Sequence, residues 1–309
     1  MNRIGFPKPK MKEEERIALL PDDIKNIEHP EFLYFQKGYG LKYEFSDDDY
    51  KQTGSNIVDE REAYNLEIMC QAKFSYEDIP YLKENQIVFG WLHLEKGDKD
   101  TVEMQNKKIT AIAWEFMYKN DEYVFKKNRR ITGEIGILHS VAYAGKIPSE
   151  CKTAVIGKGM VGNSAKNQLE KLGAKVTIYC RDNIHLLKRY MDNYDIIVHC
   201  AAAYPKIILI EEDLGRMKQG ALFVYLGDNC IRGNIERSSI YSPVVPINNG
   251  KNLAYNINHV PTLAYQTASK YISQDVAPYI DMLVRREMDE TLRNAIVINK
   301  GKPFYEKLL

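Results

Sequence analysis

The chain has 309 residues, and its 43 Lys and Arg against 42 Asp and Glu leave a net charge of +1. So even a balance argues against nucleic-acid binding through bulk charge, leaving at most a local basic patch. Mean hydropathy is −0.42 and no apolar run approaches the roughly 20 residues of a bilayer span, which predicts a soluble protein with no membrane partner.

Five cysteines, at positions 70, 151, 180, 200 and 230, include no CxxC pair. An odd, scattered set predicts a reducing, cytoplasmic setting rather than a disulfide framework, and no metal site. Residues 1–8 read as a short strand without the apolar core of a signal peptide.

Along the chain, short apolar runs alternate with longer amphipathic stretches. The first runs, at 3–7, 32–36, 66–72, 86–92 and 109–114, read as strands, with helices over 21–27 and 46–52. Residues 118–130, rich in Lys and Arg around Asn120-Asp121, break the pattern and mark a crossing. A connecting helix over 132–145 follows. A second set of strands lies at 153–156, 175–180, 195–200, 221–226 and 252–256, with helices over 163–172 and 184–193. Past Pro261, residues 262–286 carry helical spacing, with Pro278 as a kink.

Near-continuous apolar runs followed by helix-length crossovers indicate parallel sheets covered on both faces. Ten runs exceed one ordinary sheet, so the expected class is α/β with two doubly wound domains. The expected division is a substrate and catalytic domain over 1–130, to which 266–309 returns, and a Rossmann dinucleotide-binding domain over 131–265. The alternative is a helical tail that stays with the second domain.

The run 153–156 leads directly into Gly157-Lys158-Gly159-Met160-Val161-Gly162 and then a helical stretch. In this spacing Gly157 permits a tight turn, Gly159 lets a pyrophosphate approach the backbone, and Gly162 lets helix and strand pack closely. Alone the motif is weak; between a strand and a helix it predicts a dinucleotide site. Contacts are expected from these three glycines, Met160 and Val161, with Ala201, Ala202, Asp228 and Val260 completing the set.

The second strand of such a unit ordinarily ends in an acid that binds the ribose of NAD. Here Cys180 holds that position and Arg181 follows. A guanidinium can pair with a 2′-phosphate, so the expected cofactor is NADPH. The competing reading has Asp182 reach back to the ribose while Arg181 is merely solvated.

Ligands in open α/β sheets bind beyond the carboxyl ends of strands. Lys73, His93 and Glu115 follow apolar runs of the first set, Asp228 follows 221–227, and Arg16 lies in the loop after the first strand. Each also has a bland reading. Lys73 could be a solvated lysine, His93 a satisfied core histidine, Arg16 a partner in weak surface pairs with Glu13–Glu15, Asp228 a turn residue. Glu115 reads better as a structural hydrogen-bond acceptor than as a reacting group. Their convergence on strand ends favours a site.

Blocks such as Gly5-Phe6-Pro7-Lys8, Glu15-Arg16-Ile17-Ala18-Leu19-Leu20-Pro21, Gln71-Ala72-Lys73, Trp91-Leu92-His93-Leu94 and Asn256-Ile257-Asn258-His259-Val260-Pro261-Thr262 carry a resemblance. In their order, with the glycine loop, the chain resembles the alanine dehydrogenase and pyridine-nucleotide transhydrogenase family over nearly its whole length. The resemblance implies two domains with the active site in their cleft and a homo-oligomer. It also implies Arg16 and Lys73 as the pyruvate-binding pair, His93 as general acid/base, and Asp228 near the nicotinamide.

Three departures stand out: a shorter chain, Cys180-Arg181 in place of the acid, and Asn229-Cys230 where the family has glycines. The first two, with Gly5-Phe6-Pro7-Lys8-Pro9-Lys10 and His259-Val260-Pro261-Thr262, look more like the branch that reductively joins pyruvate, a 2-oxo acid, to the side-chain amine of an amino acid such as ornithine or lysine. The alternatives are reductive amination of pyruvate by ammonia, a saccharopine-type dehydrogenase, and a non-catalytic NADP-binding protein.

Overall fold

Strands buried on both faces need apolar residues in succession, and such runs build both sheets. The computed structural model describes residues 1–201, 208–227, 231–232 and 235–308. They fall into two units: Met1–Lys126 with Tyr265–Leu309, and Lys127–Ala264.

The first unit holds an eight-stranded sheet in the order Lys302–Pro303, Ile296–Asn299, Thr110–Ala113, Ile87–Trp91, Ile68–Lys73, Ile4–Phe6, Leu33–Gln36, Asn56–Val58. From Thr110–Ala113 to Asn56–Val58 neighbours run parallel. Ile296–Asn299 adds antiparallel to Thr110–Ala113, and Lys302–Pro303 antiparallel to it. Every residue of Ile68–Lys73 is buried. Phe6 and Phe35 stack with centroids 4.5 Å apart at the centre.

Helix Tyr265–Val284, which contains Pro278, holds the loop after the first strand. Ser269 Oγ accepts from Ile17 N at 2.9 Å, and Ser273 Oγ from Leu20 N at 2.8 Å. Two small hydroxyls on one helix face thereby satisfy backbone groups that would otherwise be buried unpaired, and they fix the position of Arg16.

The second unit has a six-stranded sheet in the order Lys175–Tyr179, Lys152–Ile156, Ile196–His199, Leu222–Tyr225, Asn252–Tyr255, Val244–Ile247. Neighbours are parallel except the last, antiparallel pair. Asp195 closes the amino-terminal side of this sheet. It accepts from Lys146 Nζ at 2.8 Å, Lys218 Nζ at 2.7 Å and Lys152 N at 3.0 Å. These donors hold its carboxyl far below the usual range against the cost of burial.

All ten apolar runs form strands, but boundaries and edges differ from the sequence reading. Residues 118–130 are no simple crossing: Tyr118–Lys119 and Glu122–Tyr123 make a hairpin, and a helix already starts at Lys126. That helix runs Lys126–Ser140, and Gly145, at φ +67°, follows the short 3-10 turn after it. The helix after the glycine loop begins at Met160 rather than at 163. Four strands of the two large sheets were not anticipated. Asn56–Val58 is only three residues long, Val244–Ile247 carries Pro246 as edge strands can, Ile296–Asn299 depends on the distant edge it joins, and Lys302–Pro303 has only two residues.

Candidate functional site

In the first unit the strands Ile68–Lys73 and Ile87–Trp91 lose register at Ala72, so that Lys73 pairs with Trp91. Lys73 is 6% exposed at the carboxyl end of its strand. Two residues beyond Trp91 the chain turns sharply at His93, whose φ is +47°. That region is sparsely populated for a residue with a β-carbon and needs a compensating hold.

Glu115 supplies the hold. It lies in the 3-10 turn Trp114–Phe116 after the next strand. Its Oε1 accepts from His93 N at 2.5 Å and its Oε2 from Leu92 N at 3.3 Å. Burial pushes the Glu115 carboxyl up, while these amides and the Lys73 ammonium pull it down, and burial prevails. The side chain of His93 is half-buried.

Arg16 is 4% exposed, so the weak surface pairing entertained from sequence is corrected here. Its Nη2 donates to Glu14 Oε2 at 2.6 Å and its Nε to Glu14 Oε1 at 2.8 Å. The backbone N of Arg16 also donates to Oε1, at 2.9 Å. The guanidinium lies over the Trp91 ring at 5.2 Å. Trp91 is itself fixed by donation from Nε1 to Tyr123 Oη at 3.0 Å and by edge packing on Trp114 and Phe125.

Arg16, Lys73, His93 and Glu115 therefore meet at the carboxyl ends of neighbouring strands. Glu14 was missed as a site residue. Its signal was the Glu-x-Arg spacing, but only burial of the arginine makes an anionic partner obligatory. Glu14 pairs with Arg16, and the Lys73 ammonium lies near enough to Glu115 to pull its carboxyl down against burial.

In the second unit the glycine loop has three distinct geometries. Gly157 takes φ +103°, and a β-carbon there would lie 3.2 Å from Ala201 N. At Gly162 a β-carbon would lie 2.0 Å from Gly157 O, so helix and loop could not close. At Gly159, by contrast, it would meet nothing within 4 Å.

Gly159 is the N-cap of helix Met160–Lys171 and offers no side chain to the first amides. An open cradle over uncapped amides fits a pyrophosphate. Met160 is 38% exposed, while Val161 packs towards the core. Ala201 is half-buried beside Gly157, and Val260 is buried in the core of this unit.

Gly157 N donates to Tyr179 O at 2.8 Å, tying the loop to the strand that ends at Cys180. Cys180 is half-buried, its N donating to Asn183 Oδ1 at 2.6 Å. Arg181 and Asp182 are both exposed, and among the described residues Arg181 has no ion pair. Ala202 and Asp228 lie outside the described residues.

One further residue was hidden in an apolar run. His199 is fully buried at the end of its strand, 5.3 Å from the Tyr225 ring, and neither ring nitrogen has a hydrogen-bond partner among the described residues. Burial drops its pKa to about 4, so the ring is neutral. Among the described residues no group of three or more His, Cys, Asp or Glu could hold a metal ion, and no helix is long and apolar enough to cross a membrane.

A family model described as alanine dehydrogenase/PNT, N-terminal domain, matches residues 5–126. Over that region the chain is similar to the alanine dehydrogenase and pyridine-nucleotide transhydrogenase family. A Clostridium botulinum relative named N(5)-(carboxyethyl)ornithine synthase is 28% identical, the match covering 90% of this chain and 93% of the relative. A Lactococcus lactis relative of the same name is 26% identical, over 88% of this chain and 94% of its own. Alanine dehydrogenase from Staphylococcus saprophyticus is 29% identical over 65% of this chain and 59% of its own length.

Among solved structures, an L-alanine dehydrogenase covers 99% of this chain, and 98% of its own, with a TM-score of 0.79 at 18% identity. A transhydrogenase from Sinorhizobium meliloti covers 97% of this chain and 98% of its own, with a TM-score of 0.76 at 16% identity. The chain thus shares the α/β fold of these two structures.

Proposed function

We propose that this protein is an oxidoreductase that condenses pyruvate with the side-chain amine of ornithine or lysine and reduces the imine with NADPH. The product is an N5-(1-carboxyethyl)ornithine-type secondary amine. The observation that carries the reading is the meeting of two buried cations, Arg16 and Lys73, with His93 at the strand ends of the first unit. Matches that run nearly end to end with relatives named N(5)-(carboxyethyl)ornithine synthase favour a side-chain amine over ammonia.

In this reading Arg16 and Lys73 hold the pyruvate carboxylate, and Glu14 keeps the guanidinium aimed. The amine adds to the ketone, and its proton passes by way of the His93 imidazole to the oxygen, giving a neutral carbinolamine. A second proton, taken up from solvent through His93, lets the hydroxyl leave as water and gives the iminium. Such proton transfer is worth ~100- to 10,000-fold in rate. The reduced nicotinamide, when bound, supplies hydride to the iminium carbon.

Gly157, Gly159 and Gly162, with the amides of Met160 and Val161, hold the pyrophosphate, and Arg181 pairs with the 2′-phosphate beside Cys180. Ala201, Ala202 and Val260 line the cofactor, and Asp228 orients the nicotinamide ribose or the amine.

The test is NADPH oxidation, followed at the nicotinamide absorbance, with pyruvate and either ornithine, lysine or ammonia, and with NADH in parallel. Turnover that requires ornithine or lysine supports the reading. The shared fold and the 29% identity to an alanine dehydrogenase favour a second reading, which turnover with ammonia alone would establish. Arg181→Asp should weaken NADPH binding roughly tenfold to a hundredfold. Unchanged affinity would remove Arg181 from the cofactor site.

A further inference from the structure

A second concavity opens in the first unit, a cleft of about 590 Å³ whose lining includes Lys8, Lys10, Gln36, Glu60, Glu77 and Tyr81. Its charges balance: two ammonium groups face two carboxylates, and they are used differently. Lys10 and Glu60 satisfy each other, with Nζ to Oε1 at 2.8 Å, while Lys10 also caps the Tyr81 ring at 4.0 Å from its centroid. Among the described residues neither the Lys8 ammonium nor the Glu77 carboxylate has an ion pair, so one free cation and one free anion share the cleft.

The backbone of Lys8 is held from both sides. Its N donates to Gln36 Oε1 at 2.8 Å, and its carbonyl accepts from Gln71 Nε2 at 3.2 Å. Both glutamines are buried, at 9% and 2% exposure, and each lies in one of the two strands flanking the first. The stem of the exposed Lys8 side chain therefore starts from a fixed point at the cleft.

We propose that this cleft binds the zwitterionic head of an α-amino acid, the carboxylate on Lys8 and the ammonium on Glu77. It would serve as the subsite for the distal end of the amine substrate, and in that role it rests on the function proposed above. A lining with no net charge suits a zwitterion better than it suits an anion or a diamine.

The reach is also right. Gln71, which holds Lys8, lies two residues before Lys73 on the same strand, roughly 7 Å along it. Four bonds of about 1.5 Å separate the α-carbon of ornithine from its side-chain nitrogen, spanning roughly 5 Å when extended. In this proposal an amino acid seated by its head at Lys8 extends its side-chain amine towards Lys73, along a length comparable to that strand separation. Ammonia would gain nothing from the cleft.

The test uses norvaline, which has the head group and chain of ornithine without the reactive amine, and 1,4-diaminobutane, which has the amines without the carboxylate. Norvaline should bind the full chain in a calorimetric titration and compete with ornithine, and diaminobutane should do neither. Lys8→Met and Glu77→Gln should each weaken norvaline roughly tenfold or more, and Lys8→Arg should recover much of the loss. In turnover both variants should raise the KM for ornithine without raising the KM for pyruvate.

Both side chains are exposed, so thermal unfolding should be unchanged and will show that the variants are folded. Norvaline that fails to bind, or that binds both variants as tightly as the parent, would overturn the cleft as a head-group site while leaving ornithine turnover intact. Turnover with ammonia alone would instead overturn the proposed reaction, and with it the cleft's role as a subsite of that reaction. The titration would then decide separately whether the cleft binds amino acids.

Discussion

In the proposed function the two units hold their ligands by opposite means. The first brings charged side chains to strand ends and keeps them there with further side chains: Glu14 on Arg16, and Glu115 beneath the positive-φ turn of His93. The second removes side chains altogether, leaving backbone amides and an open space at Gly159. The first strategy puts charge and strain into the folded state, and the second needs only close packing. Chemistry on a carbonyl needs placed charges and protons, whereas a pyrophosphate needs only amides and room.

The largest effect expected to sharpen this contrast is that of His93→Ala. Turnover should fall ~100- to 10,000-fold while NADPH affinity, read by fluorescence titration, stays unchanged. Activity that survives would take the proton-transfer role away from His93.

Glu14→Ala should come next. Breaking a buried ion pair leaves an uncompensated charge, so denaturant unfolding should show a loss on the order of 3–5 kcal/mol, with a raised KM for pyruvate. A loss of less than about 1 kcal/mol would mean that the pair behaves like an exposed one.

The second unit has a buried titratable group of its own in His199. Its folded pKa of about 4 lies below the ordinary value of 6.5, so the unfolded chain binds the proton first. The stability it leaves intact above pH 6.5 is therefore lost as pH falls towards 4, by ~3 kcal/mol. His199→Leu should flatten unfolding free energy against pH across that window. A slope unchanged by the substitution would assign the acid sensitivity elsewhere.

The smallest effect on stability separates two glycines of one loop. Gly159→Ala, at an ordinary φ of −71° with open space ahead of it, should leave the unfolding midpoint unchanged yet weaken NADPH binding roughly tenfold. Gly162→Ala should instead destabilise the second unit, because its β-carbon would collide with Gly157 O. Equal behaviour of the two would show that Gly159 has no ligand facing it.

Much of this was legible before any coordinates. The ten apolar runs announced both sheets because burial on two faces demands consecutive apolar residues, a local property. The glycine loop was legible for the same kind of reason, since a tight turn between strand and helix restricts residue type at fixed offsets. Lys73 and His93 could be named because strand ends follow from strands.

Glu14, Glu115 and His199 were not legible in the same way. Glu14 looked like one of several surface acids, Glu115 was read as a structural hydrogen-bond acceptor but its donors at Leu92 and His93 could not be named, and His199 sat unnoticed inside an apolar run. Their roles rest on which atoms lie beside them, and those atoms come from other parts of the fold or from a burial that spacing does not reveal. The edge strand Ile296–Asn299 belongs with them, because pairing with Thr110–Ala113 joins segments far apart in the chain.

The sequence by itself determined the fold class, the glycine loop and the strand-end residues, since each depends on neighbours within a few positions. Only the tertiary structure decided that Arg16 is buried and answered by Glu14, that Glu115 holds the turn at His93, and that Lys8 faces a balanced cleft. Charge pairing, burial and cavities are set by distance in space, which the order of residues does not state.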